Sequence, residues 1–116
     1  MIRRSDEIKT ELREKMRGGD GTVKARALLN GADEMYGKGR LFSEMTLAPG
    51  CSIGTHKHEG ESETYFIVRG SGEYDDNGVL RSVSAGDVTF TGDGESHGIR
   101  NTGSGDLVFV ALILYR

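Results

Sequence analysis

The sequence predicts an all-β fold, a sandwich or a barrel built from short strands. Glycine occurs 18 times, singly or in pairs between short apolar stretches, whereas proline occurs once. The apolar stretches recur at roughly regular spacing, and most of the chain lacks helical periodicity. With 116 residues the chain has the size of one domain, so we fit every element to a single core.

Six segments carry the apolar pattern of strands, and turn residues separate several of them. The predicted strands are Thr22 to Leu29, Leu41 to Ala48, Thr64 to Val68, Val79 to Val83, Val88 to Thr91 and Leu107 to Tyr115. The predicted turns are Asn30-Gly31, Pro49-Gly50 and Asn77-Gly78, and Asn-Gly is the strongest short hairpin signal. The last segment is apolar on both faces, so we expect it inside the fold or against a second subunit.

The first 21 residues are predicted to form an N-terminal arm that precedes a barrel domain of residues 22–116. Residues 5 to 17 fit a helix, because Ser5 is a good N-cap and apolar residues recur at every fourth position. Those apolar residues are Ile8, Leu12 and Met16. An arm that runs extended along the barrel or along a partner subunit is the alternative.

Charge and hydropathy exclude several classes of partner. The chain has 15 basic and 18 acidic residues, with no basic block that could grip a phosphate backbone, so no nucleic acid partner is expected. The longest apolar run, Leu107 to Leu114, is far shorter than the ~20 residues of a membrane-spanning helix. The N-terminus lacks the apolar stretch of a secretion signal, so we expect a cytoplasmic protein without membrane association.

Two further expectations follow from size and cysteine content. Cys51 is the single cysteine, so no internal disulfide can form, and a buried or tolerated thiol is favoured over a reactive one. A chain this short buries only about two-thirds of the surface that its unfolded form exposes, which makes pairing with a second copy plausible. We therefore expect a homodimer.

All three histidines and one glutamate form a candidate metal-binding set. His56 and His58 lie two residues apart, so in a strand both imidazoles project from the same face. Glu63 follows a short turn at the start of the next predicted strand, and His97 follows a glycine-rich turn. Three imidazoles and one carboxylate suit iron, manganese, cobalt, nickel, copper or zinc better than magnesium or calcium. Four protein ligands on an octahedral ion leave two positions open for a substrate, dioxygen or water.

Two runs of residues resemble the signatures of the cupin superfamily. The first is Gly50, five residues, His56-Lys57-His58, four residues, Glu63, six residues, Gly70. The second is Gly86, five residues, Gly92-Asp93-Gly94, two residues, His97, three residues, Asn101. The 15 residues between the two runs are typical of compact single-domain bacterial cupins. The family usually has proline where Gly92 stands, and we expect this change to loosen the turn that presents His97.

The resemblance implies an antiparallel jelly-roll β-barrel with one divalent transition metal ion on His56, His58, Glu63 and His97. By strand parity with Glu63, Tyr65 and Ile67 are predicted to line the cavity, whereas Phe66 and Val68 should point outward, where a subunit interface could cover them. On the preceding strand either Glu44 or Met45 faces inward. If it is Glu44, a general base becomes available. Glu59, Glu61, Asp93 and Glu95 are interpreted as solvated turn residues, and the alternative for any of them is a carboxylate at the entrance to the site.

Two functional hypotheses remain open at this stage. The first is a metal-dependent enzyme that acts on a small polar organic molecule, since the cupins that this chain resembles include dioxygenases, decarboxylases, isomerases and lyases. The second is a metal-containing protein that binds or senses a sugar or carboxylate without turnover. Fold cannot choose between them.

Overall fold

The computed structural model describes residues 1–116 and consists of two antiparallel β-sheets that enclose one core. The larger sheet has the strand order β1-β2-β3-β10-β5-β8, and the smaller one has the order β4-β9-β6-β7. The ten strands are β1 (Thr10–Glu14), β2 (Thr22–Ala27), β3 (Gly39–Leu47), β4 (Ser52–Lys57), β5 (Glu61–Arg69), β6 (Ser71–Asp76), β7 (Val79–Ser84), β8 (Val88–Thr91), β9 (Ser96–Arg100) and β10 (Leu107–Tyr115).

The core lies between the inner faces of the two sheets. Apolar residues alternate with outward-facing ones along the strands, so each strand contributes every second side chain to the core. Phe109 and Ala111 on the central strand β10 are completely buried, and so is Ile67 on its neighbour β5. The all-β prediction is therefore confirmed, and all six predicted strands are present: β8 and β10 have the predicted bounds, and the bounds of the other four differ by one to three residues.

The hairpin that joins β6 to β7 forms at the predicted Asn77-Gly78 turn. Asn77 and Gly78 have φ angles of 51° and 90°, the left-handed conformation that a two-residue turn between twisted strands requires. Strand β6 itself was not predicted, because its sequence, Ser-Gly-Glu-Tyr-Asp-Asp, has a single apolar side chain. That strand forms because β7 and β9 supply backbone partners on both of its edges.

The predicted N-terminal helix is wrong, and the extended alternative describes the arm better. Strand β1 pairs with β2 in the register Thr10 to Arg26 and forms one edge of the larger sheet, between short 3₁₀ turns at Ser5–Glu7 and Met16–Gly18. Leu12 is 71% exposed in the arm, and helices gain most of their stability from tertiary packing of an apolar face. Pairing with β2 satisfies the backbone groups of the arm instead. The domain boundary at residue 21 stays a prediction.

A second local difference concerns Asn30-Gly31, which was expected to be a simple turn. The chain forms a one-turn helix, α1 (Gly31–Glu34), before β3. Glu34 anchors this turn, because its carboxylate accepts the Asn30 backbone N–H and pairs with Arg3 at 2.9 Å. No helix in the structure is long and apolar enough to cross a membrane.

The outer face of the larger sheet is unusually apolar. Phe66 and Val68 point outward as predicted and are 47% and 49% exposed. On the edge strand β8, Val88 and Phe90 are more exposed still. The apolar surface extends from the edge strand toward the middle of the sheet, because Val88 lies opposite Phe66, and Phe66 lies opposite Val110 on β10. We call Phe66, Val68, Val88, Phe90 and Val110 the outer apolar face.

Candidate metal centre

The four predicted donors meet at one end of the barrel, between the two sheets. His56 on β4 lies directly opposite His97 on β9 in the smaller sheet, and Glu63 projects from β5 of the larger one. His58 follows the end of β4. One ligand atom from each residue lies within 4.8 Å of all the others, so the group could hold a metal ion. His58, Glu63 and His97 are buried, and the side chain of His56 is 10% exposed.

Backbone hydrogen bonds hold the two histidine segments together. The His58 N–H donates to the Glu95 carbonyl at 2.9 Å, and the Gly94 N–H donates to the His58 carbonyl at 2.7 Å. The turn that precedes His97 is thereby tied to the chain beside His58. On the other side, a register shift between Ile53 and His56 bends β4 next to the site, and such bulges re-aim neighbouring side chains.

The distances between donor atoms match a shared cation. His58 Nε2 lies 3.1 Å from His56 Nε2, 3.1 Å from His97 Nε2 and 3.0 Å from Glu63 Oε1. Glu63 Oε1 is 2.9 Å from His97 Nε2 and 3.9 Å from His56 Nε2. Two donors at right angles, each about 2.1 Å from an ion, are about 3.0 Å apart. The short separations therefore correspond to neighbouring positions around one transition metal.

The hydrogen bonds at the far side of each ring explain why the Nε2 atoms converge. His56 Nδ1 is 2.7 Å from the Gly54 carbonyl, His58 Nδ1 is 2.6 Å from Glu61 Oε2, and His97 Nδ1 is 2.7 Å from the Tyr74 hydroxyl. A carbonyl and a carboxylate only accept, so Nδ1 of His56 and His58 carries the proton and Nε2 presents a lone pair. Lone pairs 3.1 Å apart repel unless a cation or an additional proton lies between them. The donor set thus fits a metal ion.

Burial and hydrogen bonding set the charge of the site. Burial alone raises the pKa of Glu63, but hydrogen bonds with His56, His58 and His97 outweigh it and hold this pKa well below its usual range. Burial lowers the pKa of His97 despite the neighbouring carboxylate. The hydrogen bond with Glu63 raises the pKa of His58 against the effect of its own burial. An ionised carboxylate beside a neutral His97 is the state that metal binding needs.

A cavity of about 230 Å³ opens directly onto the donors. Besides His56, His58 and Glu63, it is lined by Arg13, Met16, Arg17, Arg40, Leu41, Met45, Tyr65 and Ile113. Three arginines therefore line this small space, and the lining residues other than these and the donors are apolar or aromatic. A larger opening of about 380 Å³, between β7 and β8, contains none of the four donors, so we assign no chemistry to it.

The N-terminal arm closes one side of this cavity. Arg17 has a φ of 55°, which is uncommon for a residue other than glycine, and such strain tends to occur at functional sites. The Arg17 carbonyl packs against Gly54 so closely that an added Cβ there would collide with it. The arm can hence rest on β4, and residues that sequence reasoning assigned to a helix become part of the site.

The predicted cavity-lining residues have different outcomes. Tyr65 is 2% exposed and lines the cavity. Ile67 points inward but lies deeper, in the core. Glu44 does not line the cavity: it lies on the outer face and pairs with Arg26 at 3.0 Å, whereas Met45 faces the donors. This corrects the hypothesis of a general base at Glu44.

Glu61 was misinterpreted as a solvated turn residue. Its side chain is 12% exposed and bridges His58 and Arg40. A signal was available in the sequence, because Glu61 and Glu63 are two residues apart on one strand and therefore share a face. Tyr74 was missed for another reason. It lies on the unpredicted strand β6, where its hydroxyl bridges His97 and Thr91.

The turn with Gly92 in place of the usual proline is restrained by a different bond. The Gly92 N–H, which proline would lack, donates to Glu95 Oε1 at 2.7 Å. The other carboxylate oxygen of Glu95 accepts from the Asn77 side chain at 2.9 Å. Glu95 is thus a structural part of the turn and not merely a solvated residue, and it offsets the freedom that glycine introduces before His97.

A family model for the cupin domain matches residues 43–113, which contain all four donors. This match covers more than half of the chain, so the protein belongs to the cupin family. The antiparallel jelly-roll barrel expected from the two signatures is confirmed.

Two of the matches, one by sequence and one by structure, come from Thermotoga maritima. The chain is 51% identical over 114 residues to a protein named oxalate-binding protein, and this match covers 98% of the chain and 93% of that protein. It also matches a crystal structure described as a predicted oxalate decarboxylase, with 50% identity, full coverage of both chains and a TM-score of 0.95. KdgF from Halomonas sp. shares the fold, with a TM-score of 0.75, 17% identity and coverage of 100% of this chain and 96% of that one.

Proposed function

We propose that the protein binds a divalent transition metal ion through His56, His58, Glu63 and His97, and with it a small dicarboxylate of the oxalate type. The observation that carries the proposal is the arginine-lined cavity next to the four donors. A bound metal would supply positive charge and open coordination positions for carboxylate oxygens. Elemental analysis of protein purified without added metal is the first test, and it identifies the bound metal ion.

The cavity suits a small dianion in both size and charge. About 230 Å³ accommodates a ligand of a few heavy atoms but little more. Guanidinium groups pair well with carboxylates because their N–H groups can bind both oxygens at once. Arg13 and Arg40 already pair with Glu11 and Glu61, whereas Arg17 has no acidic partner within the chain. Arg17 is therefore the arginine with the most capacity for a ligand.

The two descriptions of Thermotoga matches, oxalate-binding protein and predicted oxalate decarboxylase, are consistent with an oxalate ligand but differ on catalysis. Binding without turnover is the function that we favour, because the cavity lining offers few groups for proton transfer. Decarboxylation must place a proton on the carbon that loses carbon dioxide. Apart from the three donors and the three arginines in the lining, Tyr65 is the only lining residue with an ionisable side chain, and burial raises its pKa well above the usual value.

We expect the variant Arg17→Gln to bind oxalate about tenfold more weakly than the wild type, since one charge-assisted contact contributes roughly 1.5 kcal/mol. Isothermal titration of the metal-loaded protein with oxalate measures this change. The matched control is Arg81→Gln, because Arg81 lies on β7, outside the cavity. Equal oxalate affinity in both variants would argue against Arg17 as a ligand contact.

The metal-loaded wild-type protein mixed with oxalate also distinguishes binding from catalysis. We expect saturable oxalate binding with no release of carbon dioxide or formate from the metal-loaded protein over hours. Steady formation of formate would instead establish the second candidate function, a decarboxylase, which the name of the crystallised relative suggests. In that case Tyr65 becomes the first residue to test as proton donor.

We also propose that two copies of the chain pair through the outer apolar face. The central strand β10 is apolar on both sides, and its outward residue Val110 continues the exposed row of Val88 and Phe66. Monomeric proteins rarely expose a contiguous apolar surface of this kind. The row ends at the Arg26–Glu44 ion pair. When two copies face each other across a two-fold axis, Arg26 of one copy can lie opposite Glu44 of the other.

The variant Phe90→Glu is expected to convert the dimer to a monomer, because it buries two unpaired carboxylates in an apolar interface. Sedimentation or light scattering should then report the chain mass of 12.6 kDa instead of twice that value. Leu80→Glu is the control, since Leu80 is equally exposed, at 63%, but lies on the smaller sheet. A monomeric wild type would contradict the interface.

A further inference from the structure

The three histidines differ in what holds the ring on the side away from the donor cluster. His56 has a backbone carbonyl and His97 a tyrosine hydroxyl, whereas His58 has the carboxylate of Glu61 at 2.6 Å. This contact is the shortest of the three, and it is shielded, since the side chains of His58 and Glu61 are 2% and 12% exposed. Hydrogen bonds to an ionised acceptor are roughly twice as strong as neutral ones.

Arg40 in turn fixes Glu61. Its Nε donates to Glu61 Oε1 at 2.8 Å and its Nη2 donates to Glu61 Oε2 at 2.7 Å, a two-point pairing that sets the plane of the carboxylate. Glu61 Oε2 is also the atom that faces His58 Nδ1. Glu61 and Arg40 come from β5 and β3, which lie on either side of β10 in the larger sheet. The Arg40 guanidinium group thus orients the Glu61 carboxylate, which accepts the hydrogen bond from His58. His58 itself follows β4 of the other sheet.

Arg40 has a second role in the geometry, because it also lines the cavity next to His58 and Glu63. Two of its nitrogens are engaged with Glu61, which leaves Nη1 and the second hydrogen of Nη2 without a partner in the chain. The same guanidinium group can therefore hold Glu61 and contact an anion in the cavity.

We propose that Glu61 and Arg40 are a positioning pair that fixes His58 as an Nε2 ligand, and that Arg40 also contacts the bound dicarboxylate. This inference rests on the proposed metal site and extends it to two residues that are not ligands. A carboxylate on the far side of a metal-bound imidazole holds the ring in one tautomer and orientation and makes it a better donor. Loss of such a partner costs about 10- to 100-fold in metal affinity.

The near-isosteric variant Glu61→Gln tests the first half of the proposal. It keeps an acceptor oxygen but loses the charge and the two-point pairing with Arg40, so we expect cobalt(II) affinity to fall about 10- to 100-fold. The visible absorption spectrum of the cobalt-loaded protein should also shift, because it reports the arrangement of ligands around the ion. Glu59→Gln is the matched control, since Glu59 lies in the same turn and its side chain is 77% exposed.

The results separate this inference from the proposed function. If the wild type binds no transition metal, the metal site itself is wrong and the positioning pair falls with it. If the wild type and Glu59→Gln bind cobalt and Glu61→Gln binds it equally well with the same spectrum, the site stands and only the positioning pair is overturned. Thermal unfolding of the metal-free variants shows whether each one is folded.

Arg40→Gln tests the second half. We expect this variant to weaken cobalt affinity, because Glu61 loses its orientation, and to weaken oxalate binding about tenfold at saturating metal, because an anion contact is lost. Glu61→Gln should affect the metal more than oxalate under the same conditions. Unchanged cobalt affinity in Arg40→Gln would mean that Arg40 does not act through Glu61, and unchanged oxalate affinity would mean that it does not contact the ligand.

Discussion

Replacing His58 with alanine is expected to lower metal affinity by more than about 100-fold, the upper range for loss of a residue that only supports a ligand. His58 Nε2 is the centre of the cluster, because it lies within 3.1 Å of each of the other three donor atoms. Its loss leaves three donors and removes one of the two partners of Glu61. Elemental analysis after dialysis should show a metal content near one per chain in the wild type and near zero in the variant.

The adjacent residue provides the control for this substitution. Lys57 precedes His58 but points away from the site, and its side chain is 56% exposed. Lys57→Ala should therefore retain the metal content of the wild type. Unchanged metal stoichiometry in His58→Ala would show that the four side chains are not the metal site.

Metal affinity is also expected to fall by at least about tenfold between pH 7 and pH 5, because protons compete for the imidazole nitrogens. The hydrogen bond with Glu63 raises the pKa of His58 above its usual value, so metal-free His58 gains its proton early as the pH falls. Burial lowers the pKa of His97, which therefore competes only at lower pH. Since the metal binds the unprotonated rings, affinity is complete at high pH and is lost on acidification.

Titrations with cobalt(II) at pH 8, 7, 6 and 5 and constant ionic strength measure this dependence. Circular dichroism at each pH checks that the protein stays folded, so that loss of affinity is not loss of structure. A flat affinity from pH 8 to pH 5 would contradict coordination by three imidazoles.

Much of the site could be predicted because ligand spacing and strand parity are local properties of the chain. His56 and His58 share a face at a separation of two residues, and the same parity correctly placed Tyr65 inward and Phe66 outward. Parity did not decide between Glu44 and Met45, since nothing nearby anchored the register of β3. Pairing with β10 decided it by turning Met45 toward the cavity.

The groups around the donors could not be predicted in the same way. Arg13 and Arg17 reach the cavity only because the arm pairs with β2 and packs on β4, contacts between segments that local helix propensity does not register. Tyr74 reaches His97 from a strand whose own sequence barely signals a strand.

The sequence alone determined the all-β class, the family resemblance and the four donors, because turn residues, alternation and ligand types are encoded over a few neighbouring positions. Only the tertiary structure decided which partner orients each imidazole and which charges surround the cavity. His58, which follows β4 of the smaller sheet, and Arg40, on β3 of the larger one, are 18 residues apart, and they meet through Glu61 when the barrel closes. Such contacts depend on how strands pair, which is a property of the whole chain.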